Sequence, residues 1–163
     1  MKRVQEDLRY DGATIDEVYD MLGTREFREA VCDYQQVLHR TVTVNRAGET
    51  MAVTIDQGHG TDRLPGFAKK IVGNSINIVQ DESWTDGMNG RITVTVPGKP
   101  GEMTGTATLL ADAEGVTEKV DMSVTVRLPL IGGKAESLIA DMLGKALRAE
   151  HTVGRDWLAK KRS

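Results

Sequence analysis

The sequence predicts an α+β fold: an antiparallel sheet of seven strands with one solvated face, the other face covered by a single long C-terminal helix. Three observations carry this. Through "VDMSVTVRL" (120–128) apolar and polar residues alternate strictly, and Pro129 and the pair Gly132-Gly133 then end the run. Immediately afterwards Ala135, Leu138, Ile139, Met142, Leu143, Ala146 and Leu147 recur at helical spacing and form one wide apolar stripe. Upstream, strand-like segments follow one another through short turn-rich connections, which makes them antiparallel neighbours, because a parallel pair needs a long crossover.

The elements follow in order. "VQEDLRYD" (4–11) reads as the first strand. Thr14 is placed to cap "IDEVYDML", and Glu17 completes a capping box. Ile15, Val18, Tyr19 and Leu22 supply that helix's stripe, and Gly23 stops it. Thr24 is placed to cap "REFREAVCDY", whose apolar face is Phe27, Ala30, Val31 and Tyr34. The period then falls to two. "VLHRTVTV" (37–44) and "MAVTID" (51–56) form a hairpin through "NRAGE". "SINIVQDESW" (75–84), "GRITVTV" (90–96), "MTGTATLLA" (103–111) and "VTEKVDMSVTVRL" (116–128) complete the sheet, joined by "TDGMNG", "PGKPGE" and "DAEG". Between the third and fourth strands "GFAKKIVG" (66–73) reads as a short helix bracketed by glycines, either a fixed plug or a hinged cover. The last helix is expected over 132–150, a length of roughly 30 Å that crosses several strands.

The 163 residues suit one domain, 1–163, with 28% charged and 39% hydrophobic side chains. A net charge of −3 gives no broad footprint for nucleic acid, and the basic "KKRS" end reads as a solvated terminus. "MKRV" is followed by no apolar core of a secretory leader. No apolar stretch approaches the ~20 residues of a membrane span, so no stable membrane insertion is expected. The lone cysteine, Cys32, forms no internal disulfide and reads as a packed structural thiol, which fits a reducing cytoplasm. The sequence holds no phosphate-binding loop, dinucleotide fingerprint or HExxH, and His39, His59 and His151 stand far apart. No cofactor or metal is therefore expected. His59, in "QGHGTD", reads as a loop residue, and His39 as a residue of the open sheet face.

Four segments, "LPGFAKKIVG" (64–73), "ESW" (82–84), "VPGKPGEMTG" (96–105) and "LPLIGGKAE" (128–136), resemble the START-like superfamily of lipid-transfer domains, pollen-allergen-like proteins and polyketide cyclases. More narrowly they resemble an actinobacterial family of uncharacterised domains within it. The resemblance covers nearly the whole chain. It implies a helix-grip fold, a curved sheet wrapped on the last helix with a cavity between them, and it assigns no residue a role. The expected strand order is 1-7-6-5-4-3-2.

On this frame the expected function is binding of a small hydrophobic, lipid-like molecule. The apolar-phase residues Val94, Val96, Gly105, Ala107, Met122, Val124 and Met142 are expected to line one space, with Gly105 and Ala107 leaving volume unless the helix packs closer there. Two charged residues share the inward phase: Arg40 with Leu38, Val42 and Val44, and Glu82 (with Gln80) beside Ile76, Ile78 and Trp84. A buried charge costs several kcal/mol unless it is paired. Arg40 and Glu82 therefore form a polar end of the cavity, or else sit at the sheet rim. With 4% aromatic residues the walls are aliphatic, and Trp84 and Trp157 read as core anchors. Two alternatives stand beside this reading: a cyclase- or hydrolase-type enzyme using Arg40 and Glu82, and a structural or interaction protein with a filled core. The sequence shows no acid–base pair, which favours binding.

Overall fold

The computed structural model describes residues 1–162. Among these residues one sheet has the order β1-β7-β6-β5-β4-β3-β2, every neighbouring pair antiparallel. The elements are β1 (Lys2–Asp11), α1 (Ile15–Leu22), α2 (Arg25–Tyr34), β2 (His39–Ala47), β3 (Thr50–Gly60), α3 (Gly66–Val72), β4 (Ser75–Trp84), β5 (Asn89–Thr95), β6 (Glu102–Asp112), β7 (Gly115–Thr125) and α4 (Gly132–Arg162). This is the expected helix-grip architecture. The curved sheet is solvated on one face, and α1, α2 and α4 cover the other.

Local chemistry explains most boundaries. The Thr14 hydroxyl accepts from the Glu17 amide (3.1 Å), and the Glu17 carboxylate accepts from the Thr14 amide (3.0 Å). Thr24 makes no such cap. Its hydroxyl donates instead to the Asp20 carbonyl in the last turn of α1 (2.7 Å), which satisfies the end of one helix rather than the start of the next. The segment "QGHG" is strand, not loop, because β3 runs on to Gly60. Its pairing brings the His39 ring against Gly58, where a Cβ would stand 2.3 Å from His39 Nε2. Leu38 lies outside β2 and is exposed, so the apolar part of that strand's inward phase is carried by Val42 and Val44.

The last helix departs from expectation in two ways. It runs on to Arg162, about 45 Å in all. Its final turns pack on the two short helices, with Leu158 buried and Trp157 edge-on to Phe27 at a centroid distance of 5.6 Å. The "KKRS" end is thus helical through Arg162, and Ser163 lies outside the described residues. The other departure is which side of the helix touches the sheet. Its fully buried positions include Ala135, Ala140, Gly144, Ala149 and Gly154, and these small residues seat the helix close to β1. Gly154 packs directly on Tyr10, and Arg148 beside Gly144 pairs with Glu6 at 2.8 Å. The large residues Ile139, Leu143 and Leu147 are only half-buried, because they look across the middle of the sheet rather than into the β1 seam.

Gly105 sits in the β6–β7 pairing opposite Met122. A Cβ there would stand 2.0 Å from the Asp121 carbonyl and 2.7 Å from the Met122 Cα, both backbone atoms that cannot step aside. Gly105→Ala is expected to lower stability by about 1–3 kcal/mol in denaturant melts, the usual range for overpacking. Gly133→Ala, where a Cβ meets nothing within 4 Å, is the control and should stay within about 0.5 kcal/mol. Equal effects at the two positions would show that the close approach at Gly105 is not made in solution.

Candidate functional site

The site begins with an arginine on the inward side of α2. Arg28 precedes Val31 and Cys32 by three and four residues, so it shares their face and is fully buried. Burial of a guanidinium demands partners, and Arg28 finds three. Its Nε donates to the Leu22 carbonyl at the end of α1 (2.8 Å). Its two terminal nitrogens donate to both oxygens of Glu82 on β4 (2.8 and 2.9 Å), a bidentate fork. One of them also reaches Glu150 on α4 at 3.4 Å. Arg28 thereby ties together two short helices, the sheet and the long helix.

Glu82 is saturated. Besides the Arg28 fork its carboxylate accepts from Trp84 Nε1 (2.9 Å) and Gln80 Nε2. Burial pushes its carboxyl up, but Arg28 and these bonds outweigh burial and hold it below the usual carboxylate range. Two further carboxylates lie beside it. Glu118 on β7 is buried and points inward with Val116 and Val120. Glu150 is buried one helical turn beyond Leu147. Burial, opposed by Arg28 and aided by the charge of Glu82, pushes Glu150 up to about 7. Burial, then the charges of Glu150 and Glu82, push Glu118 well above the usual range. One oxygen of each, Glu118 Oε1 and Glu150 Oε2, is buried without a partner, as is the hydroxyl of Tyr10.

This cluster forms one end of a cavity of about 60 Å³ between the sheet, α2 and α4. Its floor is apolar: Ile55, Ile92, Val94, Val120 and Met122. Arg28, Glu150 and the side chains of Gln57 and Gln80 provide the polar wall. The half-exposed residues Val31, Gln35, Leu143 and Ala146 mark its rim, where α2 and α4 part. Cys32 also lines the space. Its thiol is pushed by burial up to about 11, and its Sγ lies 4.0 Å from Gln57 Oε1, an atom that also contacts His59 Nε2 at 2.9 Å. α3 supplies none of the walls, and its end is pinned by the Thr61 hydroxyl donating to the Gly73 carbonyl (2.6 Å).

The residues singled out from the sequence fall into separate places. Val94 and Met122 line the cavity, and Glu82 anchors Arg28 at its end. Ala107 and Val124 are buried in the sheet outside the lining, Val96 is half-buried beyond the end of β5, and Met142 is half-buried on α4. Gly105 leaves no free volume, for it is pressed against the backbone of β7. Arg40 is also corrected: it points toward α2, where Asp33 (2.7 Å) and Glu29 (2.9 Å) bind its guanidinium away from the cavity. The cation at the polar end is Arg28. Arg28, Glu118 and Glu150 were not singled out from the sequence, although each lies in phase with apolar neighbours.

Fold and site together define a protein of the helix-grip fold with a polar-ended cavity. Comparison with known proteins takes this further. Residues 6–158 match the model of a family described as "Protein of unknown function (DUF2505)", and the chain belongs to that family. An uncharacterized protein of Mycobacterium tuberculosis (strain ATCC 25618 / H37Rv) is 26% identical over 115 residues, which cover 67% of this chain and 66% of that protein, just under two-thirds of its length. Among solved structures, TTHA0849 from Thermus thermophilus superposes with a TM-score of 0.67 at 15% identity, covering 99% of this chain and 100% of that one. The di-domain ARO/CYC StfQ from the steffimycin biosynthetic pathway superposes with a TM-score of 0.65 at 15% identity, covering 98% of this chain and 52% of that one. At such identities these structures share the fold. No helix among the described residues is long and apolar enough to cross a membrane.

Proposed function

We propose that this protein binds a small, largely apolar molecule in the space between the sheet and α4, with one polar end of the ligand held at the Arg28–Glu82–Glu118–Glu150 cluster. One observation carries the reading: an aliphatic cavity ends on buried charged groups whose carboxylate oxygens are not all satisfied. Buried polar atoms without partners are rare in folded proteins and tend to mark sites of function or of a further binding partner. Size narrows the ligand. The cavity of about 60 Å³ is less than half the roughly 150 Å³ of an apolar cavity that takes up benzene. A polar group and a few carbon atoms fit inside, and a longer lipid-like tail leaves over the rim between α2 and α4. The binding domain spans residues 1–163, and a cytoplasmic setting suits its lone buried thiol. With a net charge of −3, a small molecule suits it as a partner better than nucleic acid.

The test is native mass spectrometry of gently purified protein, followed by organic extraction. A bound mass that is released on extraction, and that is missing from Val94→Phe, is expected, because the larger ring fills the floor of the cavity. A wild-type protein that carries no adduct, and whose melting temperature no small amphiphile raises, would remove the reading and leave a filled core. A second reading, catalysis in the same space, is favoured by Glu150, a carboxyl pushed up to about 7 on the cavity wall where a general acid or base would stand. Glu82 and Arg40 do not suit that role, since their bonds are already taken.

A further inference from the structure

The polar end of the cavity has a sign. Three carboxylates, Glu82, Glu118 and Glu150, meet there, and among the described residues Arg28 is the cation that acts on Glu118 and Glu150. Arg28 spends its fork on Glu82 and its Nε on the Leu22 carbonyl, and reaches Glu150 only through a long bond of 3.4 Å. Three carboxyl groups surround one guanidinium, so even with one of them protonated the four groups together still hold one negative charge. Among the residues that line the cavity, the buried polar atom without a hydrogen-bond partner is an acceptor. Glu82 has both oxygens occupied, whereas Glu118 Oε1 and Glu150 Oε2 are buried acceptors with no donor. Of these two, Glu150 stands on the cavity wall itself. The amides of Gln57 and Gln80 share that wall, but Gln80 donates to Glu82, and Gln57 presents its oxygen to His59 and Cys32.

We infer that the cavity selects amphipathic amines: the buried end of the ligand is a hydrogen-bond donor, preferably an ammonium group that meets the free oxygen of Glu150, and a carboxylate of the same shape is rejected. This inference rests on the cavity-binding reading above and adds the chemistry of the polar end. An ammonium brings up to three donors and one positive charge, which matches the free acceptors and the residual charge. A hydroxyl brings one donor and no charge, so it ranks second. A carboxylate brings only acceptors and a second negative charge, and the remaining cation, Arg28, is already occupied.

The experiment titrates the full chain at pH 8 with hexylamine, hexan-1-ol and hexanoate, three probes of equal chain length, by calorimetry. Hexylamine is expected to bind at least tenfold more tightly than hexanoate, with hexanol between them. In Glu150→Gln the amine should fall to the affinity of the alcohol, while the alcohol is unchanged. In Val94→Phe all binding should be lost, which separates the cavity from attraction of the amine to an acidic surface. Hexanoate binding as tightly as hexylamine would overturn the inference and leave the cavity-binding reading intact. So would an amine preference that survives either substitution. If none of the three probes binds the wild type, both fall together. The wild-type ranking depends on no variant, so a Glu150→Gln protein that failed to fold would still leave the inference open to refutation.

Discussion

Replacing Arg28 with methionine is expected to cost the protein on the order of 3–5 kcal/mol, the largest effect of any single substitution considered for this chain. Methionine keeps the unbranched stem but lacks the guanidinium, so the loss is mainly electrostatic. Three buried carboxylates then face one another without a cation, and the Leu22 carbonyl at the end of α1 loses its donor. Removing one partner of a buried ion pair is costly because the other is left charged in a medium that cannot solvate it. Against a typical stability of roughly 5–15 kcal/mol, such a loss leaves the variant marginal. Chemical denaturation with circular dichroism reads it. A partial rescue by combining Arg28→Met with Glu82→Leu is expected, since a buried pair exchanged for apolar residues of similar volume is often tolerated. An Arg28→Met protein within about 1 kcal/mol of wild type would mean that the cluster is hydrated and not the dry network described.

Stability should also fall as the pH rises from about 4.5 to 7, by up to about 3 kcal/mol. The sign comes from Glu150, which faces Arg28 from α2, Glu82 from β4, Glu118 from β7 and Tyr10 from β1. Its carboxyl is pushed up to about 7 in the folded protein, against 4.5 for an ordinary glutamate. Between those values the unfolded chain has released a proton that the folded chain still holds, so each pH unit costs about 1.4 kcal/mol of folding free energy. The part due to Glu150 is complete above about pH 7, and Glu118, pushed up as well, adds a loss of the same sign. Glu82 has the opposite sign. Its carboxyl lies below the usual range, so the stability it contributes is present above about pH 4.5 and disappears in acid. The two together predict greatest stability near pH 5. Thermal melts across pH 4 to 8.5 check this, and Glu150→Gln should flatten the decline from pH 5 to 7. A wild-type protein equally stable at pH 5 and pH 8 would show that Glu150 ionises as freely as a surface residue.

Much of the architecture was legible because periods of two and 3.6 are local properties of the chain. Alternation through β7 and the stripe from Ala135 to Leu147 needed no knowledge of distant residues. The site was less legible for the opposite reason. Glu118 shares the inward phase of Val116 and Val120 as openly as Glu82 shares that of Trp84, and Arg28 and Glu150 fall in step with apolar residues on their helices. By that criterion Arg40 qualified equally, yet it points into a pair of carboxylates on α2. Phase tells which side chains turn inward. It does not tell which of them meet, and Arg28 meets partners 54 and 122 positions away. The seat of α4 was hidden in another way. Hydrophobic spacing marked its large residues, whereas close approach to β1 is made at Gly144 and Gly154, whose value lies in how little room they take.

The pairing of β1 with β7 has a consequence for the order in which this molecule comes into being. Lys2 lies opposite Val124, and Asp11 opposite Gly115, so the first strand has no neighbour until nearly all of the sheet has been synthesised. During translation Leu8, Tyr10, Val18, Leu22 and Phe27, all destined for the core, wait without a surface to cover. Contacts between segments so far apart carry a large closure entropy and slow the search for the native pairing. The cavity has the same schedule, because its walls come from α2, the middle strands and α4. It does not exist in any early portion of the chain, and its floor and its roof are completed in one late step.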